Sequence, residues 1–354
     1  MSGPSRRTFG LLAAIVAVCI VTGVLHFTDV EPVAVFLLAA ASLAGLAWAI
    51  SVATEAVGSR FGPGLTGLLQ STLGNLPELF VVLFALSAGE VVVAQTSILG
   101  SLFANALLVL GLAIVAGSLS ARDGVMRFRS RLPNDTATLL LLAVFIIVLL
   151  GLSNTVGDRA SRHAVEISAV GAVCLLVVYA FWLWSYLRSD EQDPALEEGA
   201  HGVFSFRTGI AVLAIAGVSA ALVSDWFVAA LDPAVKALGI SKAFTGLVIV
   251  GIAGNAVENL VGITLAAKGR SDLAISVVKN SVAQIAVFLF PALVLLSLFF
   301  ENRLTFVLAP VYIGALAVTA IAVWQVTGDG EAAAFEGWAL VAIYIVLAVL
   351  TFYE

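Results

Sequence analysis

A chain of 354 residues that is 61% hydrophobic and only 11% charged, with a mean hydropathy of +1.10, lies outside the composition of soluble domains, whose apolar share is about 45–50%. It reads as a polytopic membrane protein with room for roughly ten or eleven spans of about 20 residues, which excludes a large soluble domain. The net charge of −6 is modest and sits mostly in loops, and no nucleic-acid partner is expected.

The apolar runs are continuous rather than alternating, which favours an all-α bundle over an outer-membrane barrel. Cys19 and Cys174 both fall within spans and read as small buried residues rather than a disulfide or metal pair. His26, His163 and His201 are far apart in sequence and have no Cys/His cluster beside them, so neither a zinc site nor a cofactor is expected.

In chain order, TM1 (9–27) follows a short start with Arg6 and Arg7, and it is kept as a span because no small-residue cleavage site follows it. TM2 (33–56) carries Glu55 near its end, and Gly62-Pro63-Gly64 breaks the chain before TM3 (65–86). A turn at Ala88-Gly89-Glu90 leads to TM4 (92–116), where Gln95, Ser97, Ser101 and Asn105 share a face. The loop 118–134 holds Arg122, Arg127, Arg129 and Arg131, and TM5 (137–152) and TM6 (164–187) complete a first set. An acidic linker follows, with Asp190, Glu191, Asp193, Glu197 and Glu198. TM7 (207–230), TM8 (244–267), TM9 (272–299), TM10 (305–326) and TM11 (338–352) form the second set.

The expected organisation is therefore TM1 (1–30), a five-helix repeat TM2–TM6 (31–188), an acidic cytoplasmic linker (189–205) and a second five-helix repeat TM7–TM11 (206–354). An N-terminus in the cytoplasm places 11 basic residues inside and 5 outside, which supports that orientation and puts the C-terminus outside. The expected location is the cytoplasmic membrane. Because each repeat has an odd number of spans, the two enter from opposite faces. That makes them inverted repeats, an arrangement that places one site between halves.

The chemistry centres on a duplicated motif. Gly74-Asn75-Leu76-Pro77-Glu78 lies inside the apolar run of TM3, and Gly254-Asn255-Ala256-Val257-Glu258 repeats its Gly-Asn-x-x-Glu spacing 180 positions later. A carboxylate at the membrane centre costs several kcal/mol without a partner or ligand, so a duplicated one points to a shared site. Glu78 and Glu258 are expected to face each other near the midplane and hold a cation that protons displace. Facing carboxylates with oxygen donors around them suit a hard divalent ion, and Ca2+ takes about 6–8 oxygens. Gly74 and Gly254 loosen the helix before each acid and Pro77 removes a donor, so that backbone carbonyls contribute. Asn75 and Asn255, one turn from each acid, add amide oxygens or fix the carboxylates. Taken alone, a glycine or an asparagine in a span serves equally well in helix packing. Gln95, Ser101, Asn105, Ser281 and Gln284 are candidates on the same terms.

These residues resemble the Ca2+/H+ antiporter (CAX) branch of the cation/Ca2+ exchanger superfamily over nearly the whole chain. The segments that carry the resemblance are 53–55, 68–78 and 95–105 in the first half, and 239–247, 254–258 and 272–276 with Ser281 and Gln284-Ile285-Ala286 in the second. The resemblance implies eleven spans, an acidic linker after TM6, and Glu78 and Glu258 as shared Ca2+ and H+ sites with Asn75, Asn255, Gln95, Ser101 and Gln284 nearby. It also implies acidic residues of the second and seventh spans in the proton path or gating, here Glu55 and Asp225. Three departures stand out. Pro77-Glu78 is the pair found in Na+/Ca2+ exchangers, Asp225 is shorter than the usual Glu, and Lys279-Asn280 stands where small residues are general. Lys279 either snorkels to the near face or points at the acids and modifies selectivity.

The function expected from this reading is secondary cation/proton antiport, Ca2+/H+ exchange by alternating access, in a non-enzyme whose substrates are Ca2+ and H+ and whose surroundings are membrane lipid. An Na+/Ca2+ or Na+/H+ exchanger of the same superfamily is the alternative, and oligomeric state is left open. A channel needs no paired halves, and an intramembrane enzyme needs a catalytic set such as H-E-x-x-H, which is missing from the sequence.

Overall fold

The computed structural model describes residues 6–28, 31–58, 60, 69, 72–188 and 204–354, leaving out the side chains of 131, 132, 186–188, 257 and 258. The Gly62-Pro63-Gly64 break and most of the acidic linker thus lie outside the described residues.

Among the described residues, helices long enough to cross a membrane occupy nine of the expected spans: TM1 is Arg6–Phe27, TM2 Pro32–Gly58, TM4 Val91–Ser120, TM5 Arg131–Val156, TM6 Ala164–Arg188, TM7 Phe206–Leu238, TM9 Ser271–Ser297, TM10 Pro310–Thr327 and TM11 Ala334–Phe352. TM3 is represented by the twelve-residue helix Leu76–Ser87. TM8 is a broken span, Lys242–Gly254 and Asn259–Ala267, bent by 58°.

Helix packing follows the duplication. TM3 packs on TM4 as TM8 does on TM9, TM3 on TM7 as TM8 on TM2, and TM4 on TM11 as TM9 on TM6, while TM2–TM7 and TM5–TM10 pair with their own counterparts. Each contact is repeated on adding five to the helix number, which is what two inverted copies of one unit produce. TM1 stands outside this scheme and leans on TM2, where the Thr22 and Ser42 hydroxyls meet at 3.2 Å.

Three elements depart from the expectation. TM7 continues past 230 through Asp232 and Pro233 to Leu238, because Ala, Val, Lys and Leu sustain the helix until Gly239 ends it at φ +64°. TM10 begins at Pro310 rather than 305, a position that suits proline because a first-turn N–H has no intrahelical partner in any case. A two-stranded ribbon also joins the halves: strand β1 (Val125–Arg127) pairs antiparallel with strand β2 (Glu331–Ala333) in the register Val125↔Ala333, Met126↔Ala332, Arg127↔Glu331. It brings the TM4–TM5 and TM10–TM11 connections to one face. The backbone N–H of Arg129 donates to Asp272 at the start of TM9 on that face, and beside it the Arg127 guanidinium holds the Asp123 carboxyl below its usual range.

The centre of the bundle is the crossing of TM4 and TM8, where backbones touch. A Cβ at Gly100 would lie 2.3 Å from the Leu247 carbonyl oxygen, and one at Gly246 2.0 Å from Thr96 Oγ1. Small residues at such crossings replace the hydrophobic drive that lipid removes with close van der Waals packing. The substitution Gly100→Ala therefore overpacks this crossing. It is expected to cost about 1–3 kcal/mol, seen as a lower unfolding temperature in detergent, whereas Gly314→Ala, with open space around it, leaves that temperature unchanged.

Candidate functional site

Both Gly-Asn-x-x-Glu motifs interrupt a span at their asparagine. Asn75 (φ −89°, ψ 11°) and Asn255 (φ −107°, ψ 18°) leave the helical region at equivalent positions, and each begins a new helix without its side chain capping it. The amide group of Asn255 is thereby available to the bundle interior. Pro77 falls in the first turn of the new helix, where its missing N–H removes no hydrogen bond. The break rather than a proline kink makes the site, and Glu78, in that same first turn, faces the positive end of the helix macrodipole.

The side chain of Glu78 is 1% exposed. It projects against the second motif: a Cβ at Gly254 would lie 3.5 Å from Glu78 Oε1, and Asn255 Nδ2 donates to the same oxygen at 3.4 Å. Asn255 Oδ1 in turn accepts from Asn105 Nδ2 at 2.7 Å, so a chain Asn105–Asn255–Glu78 crosses from TM4 through TM8 to TM3. The two amides are fixed at their bases by the Ser101 and Gly251 carbonyls, each at 3.0 Å. Among the described residues, Asn105 Oδ1 and Ser101 Oγ are buried acceptors without a hydrogen-bond partner. Connected to the carboxylate through Asn255, Asn105 carries the kind of oxygen acceptor that a hard cation takes.

A π-helical turn, residues 104–109 of TM4, contains Asn105, and a matching one, 285–289, follows Gln284 in TM9. Such an inserted residue rotates the side chains after it and is frequent at functional sites. The Glu78 carboxylate borders a cavity of about 10 Å3, close to the lower limit for one water molecule. TM2 (Ala40, Leu43), TM7 (Phe227) and TM8 (Val250, Ala253) line it, with Phe227 stacked on Phe36 at 4.8 Å.

The structure thus brings together Glu78, Pro77, Gly254, Asn255 and Ser101, with Asn75 7% exposed at the TM3 break beside Gly74. The side chain of Glu258 lies outside the described residues; its backbone sits one turn beyond Asn255. Gln284 is half-buried in TM9.

Other expected residues lie apart. Gln95 spends its amide on the Val307 carbonyl at 3.2 Å, tying TM4 to the TM9–TM10 connection, about 9 Å of helix rise before Ser101. Glu55 sits in the last turn of TM2, and Asp225 is exposed on TM7; neither lines the cavity. Lys279 neither snorkels to solvent nor reaches Glu78. At 1% exposure its Nζ donates to Thr327 Oγ1 at 3.2 Å, against the last turn of TM10, where a helix C-terminus favours a cation. Asn105 is the residue whose part in the site the sequence understated. It was visible only as one polar residue among several on TM4, since its partner lies 150 positions away.

Comparisons with known proteins agree with this architecture. The family described as "Sodium/calcium exchanger protein" matches residues 31–187 and 208–353. A "Vacuolar calcium ion transporter" of Schizosaccharomyces pombe is 32% identical over 98% of this chain and 84% of its own. A "Ca(2+)/H(+) antiporter" of Aphanothece halophytica is 30% identical over 93% of this chain and 92% of its own. The solved structure "Structure of native YfkE" superposes with a TM-score of 0.81 at 26% identity, covering 98% of this chain and 99% of that one.

The hydrogen-bonded chain generates one test. Asn105→Ala removes a buried acceptor and the donor that holds Asn255. It is expected to weaken divalent-cation binding in detergent by about 10- to 100-fold and, by leaving Asn255 Oδ1 unpaired, to lower the unfolding temperature modestly; an unchanged affinity would remove Asn105 from the site.

Proposed function

The chain belongs to the sodium/calcium exchanger protein family, and we propose that it is a Ca2+/H+ antiporter in which Ca2+ and H+ compete for Glu78 and Glu258. The observation that carries this reading is Glu78 itself, a carboxylate removed from solvent and aimed at the second motif's helix break and amide chain. Both relatives named above, at 30% and 32% identity over nearly the whole chain, support it.

The working cycle follows from charge. With both carboxylates ionised, oxygens from Glu78, Glu258, Asn105, Ser101 and the backbone before each break surround Ca2+, the amides turning their oxygens inward. Protonation removes the negative charge and turns a carboxyl oxygen into a donor, so Ca2+ leaves. Two acids that share one cation titrate as a coupled pair, because without the metal they do not both ionise readily. The sign is fixed: Ca2+ affinity falls as pH falls through that titration. Alternating access comes from movement of the TM2–TM7 pair, which covers the cavity, against the TM3–TM4 and TM8–TM9 helices that form it. Glu55 and Asp225 belong to the paths to the site rather than to the site. The arginine-rich face is cytoplasmic by its charge, in the cytoplasmic membrane.

Lys279 serves in this reading as an anchor between TM9 and TM10 rather than as a built-in substitute for cargo. Transport in reconstituted vesicles tests the whole. Ca2+ uptake is expected to follow an imposed pH gradient and to vanish in Glu78→Gln and in Glu258→Gln. Lys279→Met is expected to keep the preference of the parent among Ca2+, Mn2+, Mg2+ and Na+. Uptake driven by Na+ and indifferent to the pH gradient would overturn the proton-coupled reading.

A further inference from the structure

On the face opposite the β1–β2 ribbon, one ammonium joins three helices. Lys242, the first helical residue of TM8, donates to Glu90 Oε1 and Oε2 at 2.8 and 2.7 Å, and its Nζ lies 2.7 Å from Asp232 Oδ1. Glu90 precedes the first residue of TM4 after the left-handed turn at Gly89 (φ +81°). Asp232 lies on the extension of TM7, five residues beyond Phe227, and Lys242 precedes Val250 by eight. Phe227 of TM7 and Val250 of TM8 both line the Glu78 cavity. The three charges therefore clamp together, one to two turns above the site, the helices that would have to part for the site to open on this face.

The clamp is not duplicated. The residue 180 positions after Glu90 is Arg270, which holds the same place before TM9 with nearly the same backbone (φ −90°, ψ 62° against φ −82°, ψ 57°), and the residue 180 positions before Lys242 is Gly62. Two inverted halves alone would weigh the two access states evenly; among the described residues, an ion-pair cluster that joins TM4, TM7 and TM8 on this face, where the ribbon face has the exposed Arg127–Asp123 and Arg127–Glu331 pairs instead, breaks that balance. We propose that Glu90, Lys242 and Asp232 form a one-sided latch that favours the state closed on this face and opens when the site is reached from it. The inference rests on the exchanger reading only in requiring access from both faces.

The test is thiol accessibility in the full-length chain in vesicles, with Cys19→Ser and Cys174→Ser as background and Ala253→Cys as reporter inside the cavity. A membrane-impermeant maleimide is supplied on the Lys242 face. Asp232→Asn and Lys242→Met are expected to raise the labelling rate about two- to fivefold, the range that partly exposed pairs support, and 1 M salt to raise it in the parent but not in Lys242→Met. Lys242→Arg is expected to label like the parent. Unchanged labelling in Asp232→Asn would overturn the latch, and this half-exposed, near-isosteric change keeps the test open even if Lys242→Met does not fold. Labelling needs no cargo, so faster labelling together with a failure of the unsubstituted chain to exchange Ca2+ for H+ would sink the transport reading and leave the latch standing.

Discussion

A carboxylate held away from water inside a membrane bundle is the constraint on which this structure depends. An unsupported charge at that depth costs about 2.5–3.5 kcal/mol on insertion scales and more by other measures, and Glu78 is 1% exposed. Its surroundings answer that cost by geometry. The break at Asn75 turns a helix N-terminus towards it, the break at Asn255 brings an amide to it, and the amide of Asn105 holds the second amide in place. The glycines at the TM4–TM8 crossing are part of the same solution, since only backbone contact between those helices brings Asn105 within reach of Asn255.

The sequence made the parts that involve strong local contrasts legible. An acid within an apolar run stands out, its recurrence 180 positions later identifies the duplication, and the odd number of spans per unit gives the inversion. The observed packing repeats itself helix by helix as that inversion requires. What stayed hidden depends on partners far away in the chain. Gln95 looks like a ligand until the Val307 carbonyl is seen to take its amide, and Lys279 looks like either a snorkelling cation or a counter-charge until Thr327 and the end of TM10 are placed over it. Asn105 was legible as polar but not as the residue that holds Asn255.

Local backbone irregularities were hidden for a different reason. A π-helical turn shifts the register by one residue without changing the apolar content, so the runs of TM4, TM8 and TM9 read as ordinary helix. Strands of three residues are too short to show alternation, and the β1–β2 ribbon left no mark in the pattern.

That ribbon has a consequence for how the halves belong together. On one face the two repeats share main-chain pairing between Val125–Arg127 and Glu331–Ala333, together with a backbone bond from Arg129 to Asp272. On the other they meet mainly through side chains, such as Lys242 with Glu90 and Asn302 with the Leu86 carbonyl. Stitched along one rim and merely buttoned along the other, the molecule is built like a purse.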